Sequence, residues 1–288
     1  MRILLTGAGG QLGMQFLQVD RGHQVIAAYH ARQPEGWTGE LLKIDLLDPA
    51  SLREAVLSSS PDWIVHGAAM TNVDACERDP DAAMRANGAA TGVLAEAARD
   101  AGARFLYVST DYVFDGSDGP YREDSPVNPV QAYGRSKLEG ERRALQADPR
   151  AVVARTSAVY GPHRSNFVTW LIGETRAGRP VRIAEDQWVT PTHTRDLVEQ
   201  IHALIEHDAR GIYHTAGAEG CSRLDFAKAA CRTFGTPIDL VHPVKAADLP
   251  WLAPRPRDAR LDTSRIARIK SPFSMAEGLI ALAKETRS

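Results

Sequence analysis

One segment specifies the type of fold more clearly than any other: Arg2-Ile3-Leu4-Leu5-Thr6-Gly7-Ala8-Gly9-Gly10-Gln11-Leu12-Gly13. Its first five residues form a short apolar run, which is typical of a strand buried on both faces of a parallel sheet. A glycine-rich turn follows, and a helical pattern runs from Leu12 to about Val19. The stretch therefore predicts a strand, a tight turn and a helix in direct succession.

The turn carries Gly7, Gly10 and Gly13, a G-x-x-G-x-x-G variant of the dinucleotide-binding fingerprint. Gly7 would permit the tight turn, Gly10 the approach of backbone to a diphosphate, and Gly13 the close packing of helix on strand. The diphosphate would lie against the helix N-terminus, where unpaired N–H groups favour anions. We expect Gln11 and Leu12 to bind the dinucleotide with these glycines; the alternative is a glycine-rich turn without a ligand.

The second strand, Gln24–Tyr29, bears on the choice of cofactor. A site that prefers NAD usually has a carboxylate after this strand to hold the ribose hydroxyls. Here the first acid is Glu35, and Arg32 could instead pair with the 2′-phosphate of NADPH. We predict NADPH with NADH as the alternative, although Arg32 could also be a solvated surface residue.

Two further strands complete the expected cofactor groove. The third is Leu41–Leu46, and Asp45 and Leu46 at its end are expected to meet the adenine. The fourth is Asp62–His66, and it ends in the small residues Gly67-Ala68-Ala69. Small side chains there would let a cofactor ribose pass close to the backbone.

The fifth strand, Arg104–Val108, delivers Ser109, Thr110 and Asp111 to its carboxyl end. Ligands of an open α/β sheet bind at that edge. A hydroxyl at this position is well placed to polarise a carbonyl.

Tyr133 and Lys137 stand four residues apart in a run that predicts a helix to about Gln146. Their side chains share one helix face, with stems about 6 Å apart along the axis. A free phenol has a pKa of about 10, and a fixed cation beside it favours the phenolate. The pair predicts a general acid–base, although Tyr-x-x-x-Lys also arises by chance and gains its meaning from the upstream motifs.

Strands and helices alternate through the sixth strand, Ala151–Thr156, which predicts an α/β fold with a doubly wound, Rossmann-like parallel sheet. Beyond it the pattern loosens into shorter elements. We expect residues 1–157 to form the dinucleotide-binding domain, with 188–217 returning to it. Residues 158–187 and 218–288 would form a smaller C-terminal substrate lobe.

Composition excludes several classes of protein. The 288 residues carry 34 Lys and Arg against 36 Asp and Glu, and the net charge of −2 argues for neither nucleic acid nor an anionic membrane as partner. No apolar run approaches membrane-spanning length, and the three cysteines lack metal-binding spacing. Without a signal peptide, we expect a cytoplasmic protein with reduced thiols.

Taken together, these residues resemble an extended short-chain dehydrogenase/reductase, and within that superfamily the dTDP-4-dehydrorhamnose reductase family. The resemblance covers the chain almost end to end. The segments that carry it are Gly67–Asp74 with Glu77, Ser109–Gly116, Tyr133–Glu141, Arg155–Tyr160, Asp186-Gln187 with Thr190–Thr192, and Arg255-Pro256 ahead of Leu261–Thr263.

The resemblance implies reduction of the C4 ketone of a nucleotide-linked 4-keto-6-deoxy sugar, the last step toward dTDP-rhamnose. It gives Tyr133 as the proton donor, and Lys137 as the residue that lowers the pKa of the phenol and holds the nicotinamide ribose. It gives Thr110 as the hydrogen-bond partner of the substrate oxygen. It also places Thr71 and Ser109 against the cofactor.

For the substrate, the resemblance suggests Asp111, Asn166 and Arg255, with helix capping or surface charge as the alternative for the last two. Two positions depart from the family pattern. Ala158 stands where Trp is common near the sugar, which leaves the precise sugar open. Gln15 stands near a Glu that in some members helps to bind a metal at a subunit contact, so no metal is predicted; a homodimer is compatible with the sequence.

A different class of function stays open. The regulatory subunit of methionine adenosyltransferase resembles the same family, binds NADP and serves as a partner of another enzyme. The intact Thr110, Tyr133 and Lys137 favour catalysis. Among enzymes, an epimerase is the rival, while a dehydratase is disfavoured because Tyr112 follows Asp111 where a Glu is usual.

Overall fold

A seven-stranded parallel sheet forms the centre of the computed structural model, which describes residues 1–19 and 21–286. Within those residues the strands are β1 (Arg2–Thr6), β2 (Gln24–Tyr29), β3 (Leu41–Lys43), β4 (Trp63–His66), β5 (Arg104–Thr110), β6 (Val152–Thr156), β7 (Val159–Tyr160), β8 (Val181–Ala184), β9 (Trp188–Val189), β10 (Thr192–His193), β11 (Gly211–His214), β12 (Cys221–Ser222) and β13 (Val241–Val244). The α-helices of the same residues are α1 (Gln11–Gln18), α2 (Pro49–Ser59), α3 (Val73–Arg78), α4 (Pro80–Ala83), α5 (Ala90–Asp100), α6 (Ala132–Ala147), α7 (Phe167–Arg176), α8 (Thr194–Glu206), α9 (Arg223–Phe234), α10 (Ser264–Ala267) and α11 (Met275–Glu285). None of these described helices is long and apolar enough to cross a membrane.

The strand order of the large sheet is β3-β2-β1-β4-β5-β6-β11, and every neighbouring pair is parallel. The chain changes direction across the sheet between β1 and β4. A crevice therefore opens at the carboxyl ends of these two strands, where open α/β sheets bind their ligands. The predicted doubly wound sheet is confirmed.

Helices cover both faces of this sheet, which explains why its strands are apolar runs rather than alternating patterns. Ile3 and Leu5 of β1 lie in a core with side chains of α1 and α8. Leu4, between them, lies in a separate core with side chains of α2 and α5. The alternation of side chains along one strand thus supplies two hydrophobic layers.

Glycines shape the turn between β1 and α1. Gly7 has a φ of +74°, and a Cβ placed on it would lie 2.8 Å from the backbone nitrogen of Ala68. A Cβ on Gly13 would collide with the Gly7 carbonyl and lie 2.6 Å from Ala8 Cα. The first position needs glycine for its backbone angle and the second for contact of helix with turn.

A third hydrophobic core lies outside the large sheet. It joins Tyr160, Leu171, Ile183, Phe226 and Leu282, which come from β7, α7, β8, α9 and α11. Three pairs of short strands accompany it, β7 with β10, β8 with β13, and β9 with β12. We propose that this core organises the substrate lobe, although α10 packs on the large sheet instead.

Two predicted elements differ in the structure. The third strand ends at Lys43 rather than Leu46, because β3 is an edge strand and Asp45 Oδ1 accepts a hydrogen bond from Leu47 N at 2.9 Å, which forms a turn. The Ala-rich sequence from about residue 80 to 101 predicts one long helix, but a π-helical turn interrupts it at Met84–Ala89. In that turn Asn87 Oδ1 accepts from Met70 N at 2.8 Å, which ties the helix to the loop after β4.

Candidate active site

The catalytic candidates meet at the carboxyl end of β5, where Thr110 and Asp111 begin a short 3-10 turn. Thr110 Oγ1 donates to Asp111 Oδ1 at 3.0 Å, and Ser157 Oγ donates to Asp111 Oδ2 at 2.7 Å. Burial raises the pKa of Asp111 to about 6, while the bonds from Ser157 and Thr110 oppose the rise. Asp111 thus fixes the Thr110 hydroxyl from inside the protein.

Tyr133 presents its half-buried phenol to this hydroxyl. Because the Thr110 hydroxyl donates its hydrogen bond to Asp111, it can only accept a hydrogen bond from the Tyr133 O–H. Burial raises the pKa of the phenol, and the Asp111 charge adds to the rise while the bond with Thr110 opposes it. The net shift of the Tyr133 pKa is upward, opposite to the lowering that we expected, because burial is the largest influence on the phenol; Tyr133 is therefore a protonated donor at neutral pH.

Lys137, one turn after Tyr133 in helix α6, is 2% exposed and packs against β5. Its Nζ donates to the Val108 carbonyl at 2.7 Å and stands 4.1 Å from the centroid of the Tyr107 ring. Burial lowers the pKa of Lys137 to about 7, and the Glu141 carboxylate opposes that shift. Desolvation therefore makes this ammonium a group that titrates near neutrality.

A buried charge network behind Lys137 is absent from the sequence-based predictions. Arg155 Nε and Nη2 donate to Glu141 Oε1 and Oε2 at 2.9 and 2.7 Å, and each side chain is 2% exposed. Ser109 Oγ donates to Glu141 Oε1 at 2.5 Å. The available signal is helical spacing, since Glu141 follows Lys137 by four residues on the same face of α6.

Ser109 is consequently not where the prediction places its hydroxyl. We expected this side chain to contact the cofactor, but it is 3% exposed and bonded to Glu141. An apolar interior requires a buried hydroxyl to find a partner, and the carboxylate of the network is that partner.

The predicted cofactor residues line the crevice around the end of β1. Gly10 is exposed, and Gln11 and Leu12 are partly exposed at the start of α1. Ala68 and Ala69 are partly exposed after β4, where Ala68 N donates to Thr6 Oγ1 at 3.2 Å. Thr71, two residues further along the loop, is exposed. The backbone is thus open at the helix N-terminus, as binding of a diphosphate requires.

The other side of the crevice carries exposed polar groups. Arg32 is exposed after β2, close to the glycine-rich turn. Asp45 and Leu46 are partly exposed beyond the end of β3, and Asp45 Oδ2 lies 3.9 Å from His30 Nε2. The charged side chains in this half of the crevice are therefore in contact with solvent.

Asn166 serves as the N-cap of α7. Its Oδ1 accepts from Val168 N and Thr169 N at 3.0 and 3.2 Å, and its Nδ2 donates to the Gly161 and Arg164 carbonyls at 2.7 and 2.8 Å. The capping alternative therefore describes this side chain, whose hydrogen-bonding atoms are used within the protein.

Arg255 ties the C-terminal region to the loop after β4. Its Nη2 donates to Asp74 Oδ1 at 2.9 Å, and Ala253 N donates to the same oxygen at 3.1 Å. The guanidinium is 12% exposed and lies over the Trp251 ring. Arg255 is therefore held near the crevice by a paired carboxylate.

Ala158 occupies a strained position next to this site. Its φ is +43°, which L-residues rarely adopt, and it follows Ser157, the partner of Asp111. Such strain recurs where surrounding structure holds a segment in place. The small side chain departs from the family pattern at a point fixed by the active-site hydrogen bonds.

Gln15, which bore on the metal prediction, is buried in α1, and its Oε1 accepts from Thr194 Oγ1 at 3.1 Å. It joins α1 to α8 inside the protein. In the part of the chain that the structure describes, no group of three or more His, Cys, Asp or Glu side chains could hold a metal ion.

The class of the protein follows from this arrangement. A glycine-rich turn lies at the switch point of the parallel sheet, where such sheets bind dinucleotides, and the Tyr133–Thr110 hydroxyl pair with the buried Lys137 has the composition of a proton-transfer site. Together they define an NAD(P)-dependent oxidoreductase of the extended short-chain dehydrogenase/reductase class.

The chain belongs to the family described as RmlD substrate binding domain, which matches residues 1–286. It is 36% identical to a dTDP-4-dehydrorhamnose reductase of Streptomyces griseus, over 92% of this chain and 86% of that protein. It is 32% identical to methionine adenosyltransferase 2 subunit beta of Bos taurus, over 94% of this chain and 84% of that protein.

A solved structure of dTDP-4-dehydrorhamnose reductase from Bacillus anthracis, in complex with NADP, superimposes with a TM-score of 0.87. The two chains are 29% identical and each is covered to 99%. The predicted family is confirmed by these comparisons.

Proposed function

We propose that this protein, a sugar-nucleotide reductase, reduces the C4 ketone of a nucleotide-linked 4-keto-6-deoxy sugar with NADPH. The reaction would serve deoxysugar synthesis for cell-surface polysaccharides, with dTDP-rhamnose as the example that the family suggests. The observation that carries the proposal is the Tyr133 phenol, raised in pKa and bonded to Thr110 at the ligand-binding edge of the sheet. A reductase needs such a protonated donor.

The residues act on the proton rather than the hydride, which the bound nicotinamide supplies. Tyr133 gives its proton to the alkoxide oxygen that develops at C4. Thr110 turns its own proton from Asp111 to the same oxygen and so supplies a second hydrogen bond. Lys137, in its charged form, stabilises the resulting phenolate and holds the nicotinamide ribose.

Substrate selection falls to the neighbouring lobe. Arg255 would meet the nucleotide diphosphate, and its bond to Asp74 keeps the guanidinium in place. Ala158 leaves more room near the sugar than the Trp common in the family. The precise sugar is therefore a question for a panel of 4-keto sugar nucleotides.

The test measures NADPH oxidation with enzymatically prepared dTDP-4-keto-6-deoxy sugar. We expect stoichiometric oxidation, and we expect Tyr133→Phe to lower kcat by about 10³-fold while NADPH binding is kept. Tyr213→Phe, in the same sheet but away from the crevice, is the matched control and should stay within about twofold. Equal effects of the two variants would contradict the role of Tyr133.

A second candidate is a non-catalytic NADP-binding subunit, which the similarity to methionine adenosyltransferase 2 subunit beta supports. It predicts tight NADPH binding without oxidation on any keto sugar. An epimerase would convert the sugar without net loss of NADPH. Product analysis beside the cofactor assay separates all three outcomes.

A further inference from the structure

Arg164 reaches from the loop before α7 to the glycine-rich turn. Its Nε donates to the Gly9 carbonyl at 3.0 Å. Its Nη1 lies 3.7 Å from Glu35 Oε1, in a pair whose carboxylate is 83% exposed. The side chain itself is 25% exposed, so a residue of the substrate side reaches over the cofactor side of the crevice.

Arg32 lies against the same glycine through its backbone and Cβ. A Cβ placed on Gly9 would collide with the Arg32 carbonyl and lie 3.4 Å from Arg32 Cβ. In residues 1–19 and 21–286, no carboxylate within 4.0 Å pairs with the Arg32 guanidinium. Two arginines thus lie close to Gly9: Arg32, which has no ion pair within the described residues, and Arg164, which is paired with the solvated Glu35.

The position of the two arginines indicates which chemical group they would bind. The turn after β1 and the segment after β2 are where a Rossmann sheet holds the adenosine ribose. Guanidinium groups match phosphate oxygens with two parallel hydrogen bonds, whereas an exposed pair such as Arg164–Glu35 is weak. A phosphate dianion can therefore displace the Glu35 carboxylate.

We propose that Arg164 and Arg32 together form the subsite for the 2′-phosphate of NADPH, with Glu35 as the group that the phosphate displaces from Arg164. The subsite draws one arginine from each side of the crevice, because Arg164 precedes the α7 cap Asn166. The proposal rests on the cofactor of the proposed function and is independent of the sugar.

The test is calorimetric titration of the full chain with adenosine 2′,5′-bisphosphate and with 5′-AMP, which differ only in the 2′-phosphate. The unaltered protein should bind the bisphosphate at least about tenfold more tightly. Arg164→Gln should weaken the bisphosphate by about tenfold and leave 5′-AMP within about twofold. Arg32→Gln should do the same.

Glu35→Gln sharpens the test, because it removes the competing carboxylate. It should strengthen bisphosphate binding by about two- to threefold, which a purely structural role of Arg164 would not produce. Arg53→Gln is the control: its exposed guanidinium pairs with Glu96 on the α2–α5 face and should change neither affinity.

Three results would overturn the proposal. The first is equal binding of the two nucleotides by the unaltered protein. The second is an Arg164→Gln effect of equal size on both, which would mean that Arg164 only shapes the turn. The third is no effect of Arg164→Gln on the bisphosphate. These titrations contain no sugar. Their result can therefore be interpreted even if the reductase assay fails.

Discussion

The two ends of the cofactor crevice are built in opposite ways. At the catalytic end Lys137, Glu141 and Arg155 are each 2% exposed, and the last two are joined by two hydrogen bonds. At the adenosine end Arg32 is exposed and Glu35 is 83% exposed. Buried charges are costly to alter, whereas solvated charges exchange partners at little cost.

This difference separates the chemistry of the protein from its cofactor preference. A change at the catalytic end leaves a charge without its partner in the interior. A change at the adenosine end only replaces a solvated contact. We infer that preference between NADPH and NADH can change by substitution at the exposed end while the proton-transfer site stays intact.

The largest expected effect comes from breaking the buried network with Glu141→Gln. The uncompensated Arg155 should lower the free energy of unfolding by about 3 kcal/mol, measured by urea denaturation. Glu139→Gln, on the same helix with an exposed i,i+4 pair to Arg143, is the matched control and should cost under about 0.5 kcal/mol. Equal losses of unfolding free energy in the two variants would mean that burial of the Glu141–Arg155 pair does not determine its contribution to stability.

The next effect is a pH dependence that belongs to the catalytic end alone. Burial lowers the pKa of Lys137 to about 7, so the charged form that catalysis needs is lost as pH rises through that value. The kcat/KM for NADPH should fall about tenfold per pH unit above it. Binding of adenosine 2′,5′-bisphosphate, at the other end, should stay level between about pH 7 and 9 because its phosphates are already ionised.

The same pKa shift has a defined sign for stability. Between about pH 7 and 10, Lys137 is neutral in the folded protein and charged in the unfolded chain, which therefore binds more protons. The contribution of this group to folding stability should rise with pH across that window. A kcat/KM that stays level to pH 9 would contradict a lowered pKa.

The smallest effect concerns salt. Raising the ionic strength from about 0.05 to 0.5 M should weaken bisphosphate binding severalfold, because Arg32 and Arg164 act through solvent. At saturating substrates kcat should change by less than about twofold, since the Glu141–Arg155 pair is shielded from ions by burial. Equal salt sensitivity at both ends would remove the contrast.

Sequence patterns predicted the large sheet well, because an apolar strand, a turn and an amphipathic helix are local signals. The sequence Gly211-Ile212-Tyr213-His214 predicts a short strand, and this strand joins the sheet. The two-residue strands were missed, since a run such as Val159–Tyr160 carries no periodicity. The π-helical turn was also missed, because its composition does not distinguish it from α-helix.

The site was predicted as a set of residues but not as a set of contacts. Thr110, Asp111 and Tyr133 do meet. The pKa of Tyr133 moves opposite to the expectation because spacing on a helix says nothing about burial. The contacts of Glu141 and Arg164 were not predicted, because their partners, Arg155 and Gly9, lie on other elements.

The pairing of β11 with β6 bears on how the protein is made. Val152–Arg155 pair with Gly211–His214, and residues 157–210 must leave the ribosome between the two. During that interval β6, whose residues are all buried in the finished fold, presents an unpaired edge. The nascent chain is then most exposed to aggregation, and a premature stop or a slow stretch of translation within these codons would prolong the hazard.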